Sequence, residues 1–254
     1  MCELLGISVD PAATMGLYLS AFRRRATEND SGWGVAWYEG GRSRVVKEPH
    51  RADHSAQADA LAHRPPTSSL FLVHVRAATV GPVALQNTHP FAASLFGRDW
   101  VFAHNGTIHR LDGLPTGGRS PLGQTDSEIA FHHVLHCLEG LGPQPEEQDV
   151  ETVVRDAARE LSRRGKANFL LSDGDALFAH YDGHKTLHYA TRHDDNLGTV
   201  RVADDDYTID LHLPEVATSE RAVIVASVPL SDEPWVALEP GSFLVCRDGR
   251  VTGP

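Results

Sequence analysis

With 254 residues, 41% of them hydrophobic and 22% charged, the chain has the composition of a folded protein long enough to bury a large core without staples. Its formal charge of −11 argues against a nucleic-acid partner, because no basic stripe exists beyond the short run Arg23-Arg24-Arg25. No stretch approaches the apolar length of a membrane span, and no leader-like segment precedes the first strand-like run, so a cytoplasmic protein is expected.

The chain opens Met1-Cys2-Glu3-Leu4-Leu5-Gly6-Ile7-Ser8, and Cys2–Ser8 reads as a strand. Pro11–Arg25 follows as an expected helix with Met15, Leu19 and Phe22 on one side. Trp33–Tyr38 and Ser43–Glu48 form an expected hairpin around Glu39-Gly40-Gly41. Asp53–His63 reads as a short helix ended by Arg64-Pro65-Pro66. Leu70–Val75 is apolar on both faces, as a strand sandwiched between layers should be. Trp100–His104 is another strand.

Thr125-Asp126-Ser127-Glu128 is a capping box that opens a helix through Phe131, Leu135 and Leu138. A second helix carries Val150, Val153, Val154, Ala157, Ala158 and Leu161 at helical spacing. The Gly-, Pro- and acid-rich Glu139–Asp149 connects them as a loop. Asp-Gly turns then separate strands at Asn168–Ser172, Ala176–Tyr181 and Thr186–Thr191. The acidic stretch His193–Asp206 reads as a surface excursion, and Ala222–Ser227, Ser242–Cys246 and Arg250-Val251 return to strand. Strands, two consecutive helices and more strands predict a single α+β domain over 1–254, with helices layered on antiparallel sheets.

Three cysteines, Cys2, Cys137 and Cys246, suggest no disulfide framework. Cys137 and Cys246 lie in apolar periodic segments and are expected as core fillers. Cys2 is different, because a methionine followed by a small residue is normally trimmed. Trimming would leave a thiol and a free α-amine on one residue, a nucleophile beside its own base, with the amine titrating at roughly pH 7.7–8.0.

Four local features follow Cys2 in order. His74-Val75-Arg76-Ala77-Ala78-Thr79 puts an arginine at the exit of a buried strand. Gln86-Asn87-Thr88-His89-Pro90-Phe91 is a turn-like polar segment. Phe102-Ala103-His104-Asn105-Gly106-Thr107 ends a strand in Asn-Gly, which by itself reads as a hairpin turn. Gly123-Gln124-Thr125-Asp126-Ser127-Glu128 starts a helix with an acid, which by itself reads as a dipole-favoured first-turn residue. Arg76 by itself reads as a structural ion-pair partner.

Together the set resembles the N-terminal-nucleophile glutaminase domain of the class II glutamine amidotransferases. It is most similar to the short, free-standing amidotransferase-like proteins that begin Met-Cys-Glu-Leu-Leu-Gly. The resemblance is tightest over Cys2–Glu128 and looser over Ala222–Arg250, where Ala226-Ser227-Val228-Pro229-Leu230 and Glu233-Pro234-Trp235 echo the family's final strands. It implies a four-layer αββα sandwich of two antiparallel sheets flanked by helices. It implies that Cys2 attacks the γ-amide of glutamine, that Asn105 and Gly106 stabilise the oxyanion, and that Arg76, Thr79 and Asp126 bind the amino-acid head of the substrate. No cofactor or metal is implied. The substrate is a small molecule, and any ammonia acceptor would be a separate synthase or acceptor protein.

Two positions depart from the larger synthases of the family, which follow the arginine with Trp and the threonine with His. Here Ala77 and Val80 stand there, and neither receives a role. Asn87 and His89 match a family motif without an assignable mechanism, and Ser31-Gly32-Trp33-Gly34 is read as structural support near the nucleophile. His132 and His136, one turn apart with His133 beside them, have metal-ligand spacing but no third ligand cluster. His180, His184 and His188 are read as surface histidines of a hairpin, and Ser227 and Ser242 lack a nucleophile-elbow context. Arg76 and Asp126 read only a glutamyl head, so glutamine and other γ-glutamyl amides stay open as substrates. A non-catalytic glutamine-binding regulatory subunit is the alternative of a different class.

Overall fold

Runs that bury both of their faces build the centre of the molecule. In the computed structural model, which describes residues 2–14, 29–78, 80–193, 199–204, 207–212 and 221–253, strand β4 (Thr67–Val75) turns Leu70 and Leu72 to one side and Phe71, Val73 and Val75 to the other. The strand β1 (Glu3–Thr14) does the same, with Leu4 on the first side and Leu5, Ile7 and Val9 on the second. Period-two alternation on a two-faced apolar strand places one set of side chains in each of two cores.

The remaining strands are β2 (Trp33–Glu39), β3 (Arg42–Glu48), β5 (Phe91–Leu95), β6 (Arg98–Ile108), β7 (Gly165–Ser172) and β8 (Leu177–His180), followed by β9 (His188–Arg192), β10 (Thr199–Asp204) and β11 (Tyr207–His212). The chain closes with β12 (Arg221–Ala226), β13 (Val236–Ala237), β14 (Phe243–Arg247) and β15 (Arg250–Gly253). One sheet has seven strands in the order β13-β9-β12-β1-β4-β2-β3, and a second has six in the order β15-β14-β8-β7-β6-β5. Their ladders are antiparallel throughout.

The two sheets face each other across a core of Leu4, Ala36, Leu70 and Leu72 from the first and Val101, Ala103, Leu170 and Leu177 from the second. Gly6 sets how closely they meet, since a Cβ there would lie 3.0 Å from side-chain carbons of both Leu170 and Leu177. The outer face of the six-stranded sheet is covered by α2 (Asp126–Glu139) and α3 (Glu147–Arg164). Phe102 of β6 stacks on Phe131 of α2 with ring centroids 5.4 Å apart, and α3 buries Val150, Val154, Ala157, Ala158 and Leu161. Over the outer face of the seven-stranded sheet, the described residues include α1 (Ala56–His63), which contributes Ala58 and Leu61. Two antiparallel sheets between helices match the expected α+β sandwich. None of the described helices is long and apolar enough to cross a membrane.

Several local expectations change. Pro11–Thr14, expected as the start of a helix, extend β1 past a register shift, with Ala13 and Thr14 pairing with Ser68 and Thr67 of β4; the rest of that expected helix, through Arg25, lies outside the described residues. The helix expected over Asp53–His63 divides at Ser55, whose hydroxyl accepts from Ala58 N–H at 2.9 Å and caps α1, leaving Ala52–His54 as a separate 3-10 turn. At α2, Thr125 caps as the motif requires, its Oγ1 accepting from Glu128 N–H. The Glu128 carboxylate instead holds the N–H groups of Leu122 and Gly123 at 2.8 and 2.7 Å. Within the acidic stretch, Thr199–Asp204 pairs with Tyr207–His212 as a two-stranded ribbon, and 194–198 and 205–206 lie outside the described residues. Gly40 and Gly41 do make the β2–β3 hairpin, both with positive φ as a two-residue loop demands.

Replacing Gly6 with valine forces a branched side chain into the closed gap between the sheets. The Gly6→Val protein should lose about 1–3 kcal/mol of unfolding free energy in denaturant titrations, whereas an unchanged midpoint would mean that the sheets do not close on this position.

Candidate active site

The register of the central strands decides where Cys2 lies. Glu3 pairs with Val75 at the end of β4, so Cys2 sits just past that pair, beside the backbone leaving the strand. The Cys2 thiol donates to the Ala77 carbonyl and the Ala77 N–H donates to Cys2 Sγ, both at 3.2 Å. Leu4, two residues further along, faces the core between the sheets.

Asn105 approaches from the other sheet. It lies on the inward face of β6 with Val101 and Ala103, and its Nδ2 donates to the Cys2 carbonyl at 2.7 Å. Asn105-Gly106, which alone resembled a hairpin turn, is mid-ladder: Asn105 pairs with Asn168 and Gly106 with Ala167 of β7. A Cβ at Gly106 would sit 2.0 Å from the Lys166 carbonyl oxygen, so close strand approach, rather than a turn, requires glycine there. The Ala167 N–H is taken by the Asp182 carboxylate at 2.5 Å. Ala167 and Gly106 therefore form a pair whose N–H groups point away from each other. The Gly106 N–H is left facing the side of β6 that β5 has stopped covering, since their ladder ends at Phe91–Phe102.

Arg76 is buried at the exit of β4, with its N–H on the Gly32 carbonyl and its own carbonyl accepting from Ser31. Its guanidinium donates to the carbonyls of Ser31, Val80, Gly81 and Pro82 at 2.8–3.5 Å. Burial lowers its pKa, while Cys2 and Asp126 oppose that shift, so all three groups share one electrostatic neighbourhood. Asp126 opens α2, and its Oδ2 accepts the Ile108 N–H at 2.6 Å, tying the helix start to the strand end that carries Asn105 and Gly106. Cys2, Arg76, Asn105, Gly106 and Asp126 are thus brought to one end of the sandwich. Thr79 lies outside the described residues.

Asn87 and His89 acquire structural explanations. Asn87 Nδ2 donates to the Pro82 carbonyl at 2.9 Å and its Oδ1 accepts from Gln124 N–H at 2.7 Å. It joins the loop that holds Arg76 to the loop that leads into Asp126. His89 packs its ring 4.3 Å from that of His74 and edge-on to Phe91. Ser31-Gly32-Trp33-Gly34 acts as support: Ser31 and Gly32 pin Arg76, Trp33 is core, and a Cβ at Gly34 would strike the His89 carbonyl at 2.2 Å. His104 Nε2 donates to the Lys166 carbonyl, so its Nδ1 is the acceptor for the Ser127 hydroxyl at 2.8 Å.

Other histidines are ordinary, with one correction. His180 was expected on the surface but is buried, bonded to Ser162 Oγ at 2.7 Å and to the Ser242 carbonyl at 3.1 Å, because α3 covers that strand. His133 bonds the Pro115 carbonyl and His136 lies 3.5 Å from Glu139. Among the described residues no group of three or more His, Cys, Asp or Glu is placed to hold a metal ion. Cys246 is core, and burial pushes its thiol up to about 12; Cys137 is half-buried.

Sequence reasoning missed Lys185 and Ser227. Ser227 Oγ accepts the Leu4 N–H at 2.9 Å and its own N–H returns to the Leu4 carbonyl, fixing the strand two residues from Cys2. Lys185 Nζ donates to Asn105 Oδ1 at 2.8 Å. Ser227 lies in the segment Ala226–Leu230 that echoes the family's final strands but received no role there, and only the Asp-Gly turn before Lys185 marked its loop.

The His74–His89 pair has a measurable consequence. Burial, reinforced by His104 and Arg76, drops His74 to about 3, and burial beside His74 and His104 holds His89 well below the usual imidazole range. In the unfolded chain each would titrate near pH 6.5. Folded values below unfolded ones give stability that is complete above about pH 6.5 and lost as pH falls toward the folded values. Between about pH 6.5 and 5 the wild type should lose up to ~1.4 kcal/mol per pH unit for each imidazole. The His89→Phe protein should show a shallower slope in denaturant midpoints, and equal slopes would contradict the burial.

Residues 1–254 match the family model described as glutamine amidotransferases class-II. The chain is 34% identical to YafJ of Escherichia coli over 99% of this chain and 100% of that one. It is 30% identical to the gamma-glutamyl-hercynylcysteine sulfoxide hydrolase of Mycobacterium tuberculosis over 85% and 93% of the two chains. Among solved structures, a "predicted glutamine amidotransferase" from Pseudomonas aeruginosa superposes over all of both chains with a TM-score of 0.75 at 32% identity. Phosphoribosylpyrophosphate amidotransferase from Bacillus subtilis shares the fold over 99% of this chain and 48% of that one, with a TM-score of 0.65 at 16% identity. The two-sheet sandwich, the site at its end and these likenesses agree: the chain belongs to the class II glutamine amidotransferases.

Proposed function

We propose that the protein is an amidohydrolase that splits the γ-amide of glutamine, using Cys2 as an N-terminal nucleophile after removal of Met1. The observation that carries this reading is the meeting of Cys2 from one sheet with Asn105 from the other, beside buried Arg76 and Asp126. The freed α-amine takes the thiol proton, directly or through one water, and sulfur attacks the γ-carbonyl carbon. The carbonyl π-pair moves onto oxygen. Asn105 Nδ2 and the outward-facing Gly106 N–H are the donors for that oxyanion, a role whose loss costs on the order of 10²–10³ in rate. Collapse expels ammonia with the proton held by the amine, and water then hydrolyses the thioester to glutamate.

Arg76 and Asp126 supply the two charges that read an amino-acid head. Four neutral carbonyls now occupy the terminal nitrogens of the Arg76 guanidinium. A substrate α-carboxylate would displace those of Val80–Pro82, exchanging neutral acceptors for a bidentate anionic one. Asp126 would take the α-ammonium. The reaction needs no metal or cofactor.

A second reading keeps the chemistry and changes the leaving group. The likeness to a γ-glutamyl-hercynylcysteine sulfoxide hydrolase supports it.

Release of glutamate from a panel of γ-glutamyl amides decides between the two, with the best substrate naming the leaving group. Cys2→Ala should lower turnover of that substrate at least about 10³-fold, and full activity in this variant would end the proposal. The rate of the wild type should climb as pH passes through the amine titration at roughly 7.7–8.0. A flat profile between about pH 5 and 9 would remove the amine from the mechanism.

A further inference from the structure

The connection between β8 and β9 delivers a cation to the site that the mechanism above leaves unused. Its backbone is fixed at several points. Asp182 N–H donates to Asn168 Oδ1 at 2.9 Å, the Asn168 amide donates to the His184 carbonyl, and His184 N–H donates to Asp182 Oδ1 at 2.8 Å. Tyr181 hydroxyl holds the Lys185 carbonyl at 2.7 Å, and Thr186 Oγ1 holds the Ser227 carbonyl at 2.7 Å. Lys185 itself adopts a φ of 66°, an uncommon conformation for a residue with a side chain. The result is a Lys185 ammonium 2.8 Å from Asn105 Oδ1.

A primary carboxamide has nearly the same shape at both ends, so half a turn about its last bond exchanges oxygen for nitrogen. Only one orientation presents a donor to the reacting carbonyl; the other presents an acceptor and repels the oxyanion. An ammonium has three donors and no acceptor, so Lys185 pairs with Oδ1 and turns Nδ2 toward Cys2. The charge at Oδ1 also polarises the amide and strengthens its N–H as a donor. Asn168, the register partner of Asn105, anchors the loop that carries Lys185, which keeps the cation in step with the amide it holds.

We propose that Lys185 is a positioning residue that orients and polarises the Asn105 carboxamide as an oxyanion donor, an inference that rests on the amidohydrolase reading. It acts through Asn105 and not on the substrate head, so its loss should appear in kcat rather than in KM.

The test compares Lys185→Met and Lys185→Arg in the wild-type and Asn105→Ala proteins, with the preferred γ-glutamyl amide as substrate. Lys185→Met should lower kcat about 10- to 100-fold with KM within about threefold, and Lys185→Arg should recover part of the loss. In the Asn105→Ala background Lys185→Met should cost nothing further, because the group it serves is gone. An equal loss in both backgrounds, or a change confined to KM, would overturn the proposal. A second readout needs no turnover: Lys185→Met should shift the Asn105 side-chain amide resonances in an NMR spectrum, and unmoved resonances would overturn it. If the wild type cleaves no γ-glutamyl amide, the amidohydrolase reading fails on its own, and the NMR comparison alone then judges whether Lys185 orients Asn105.

Discussion

The hydrogen bond from Asn105 Nδ2 to the Cys2 carbonyl, 2.7 Å long, joins the two sheets at the end of the sandwich that holds Arg76 and Asp126. It forms only if β1 and β6 lie face to face with a fixed separation. Small residues and leucines in the intervening core set that separation: Gly6, Ala36 and Ala103 let the layers approach, and Leu4, Leu72 and Leu170 fill what remains. A protein interior packed at crystal-like density transmits such a constraint over its whole width. The position of the sulfur relative to the amide is therefore set by the body of the sandwich and not by a loop.

Around that junction, loops are fastened to strands by single polar side chains. Asn87 ties the Arg76 loop to the approach to α2, Asp126 ties α2 to the end of β6, and Ser227 ties β12 to β1 beside Cys2. Each satisfies backbone groups that would otherwise be buried without partners, which is why each is itself buried. On the proposed reading the same fasteners hold the groups that recognise and activate substrate, so fold and site share one set of interactions. Lys185 belongs to this class: a side chain from a connection, placed by its own backbone bonds, acting on a residue of a neighbouring strand.

Much of this was legible in the chain wherever a local signal existed. The β2–β3 hairpin announced itself through Gly40-Gly41, α2 through the Thr125 cap, α3 through the spacing of Val150 to Leu161, and the buried strand β4 through its unbroken apolar run. The ordered motifs named Cys2, Arg76, Asn105, Gly106 and Asp126, and the fold gathers them. Signals that depend on partners were not legible. Asn-Gly reads as a turn until β7 is known to run alongside it, and Pro11–Thr14 reads as helical until β4 offers a ladder. His180 looks like a surface residue until α3 covers it. Glu128 was expected to close a capping box, but the N–H groups of Leu122 and Gly123 compete for the same carboxylate. Lys185 carries no local pattern at all, since what it does is fixed by distance across the fold rather than along the chain.

The central claim is that one residue supplies both the attacking sulfur and the base, which demands a free amine on Cys2. Mass analysis of the N-terminal peptide, from protein quenched with acid during turnover of its preferred γ-glutamyl substrate, examines both halves at once. The account predicts a peptide that begins at Cys2 and carries a γ-glutamyl group on that residue. A fully active protein that keeps Met1, or an acyl group found on any other residue, would contradict it.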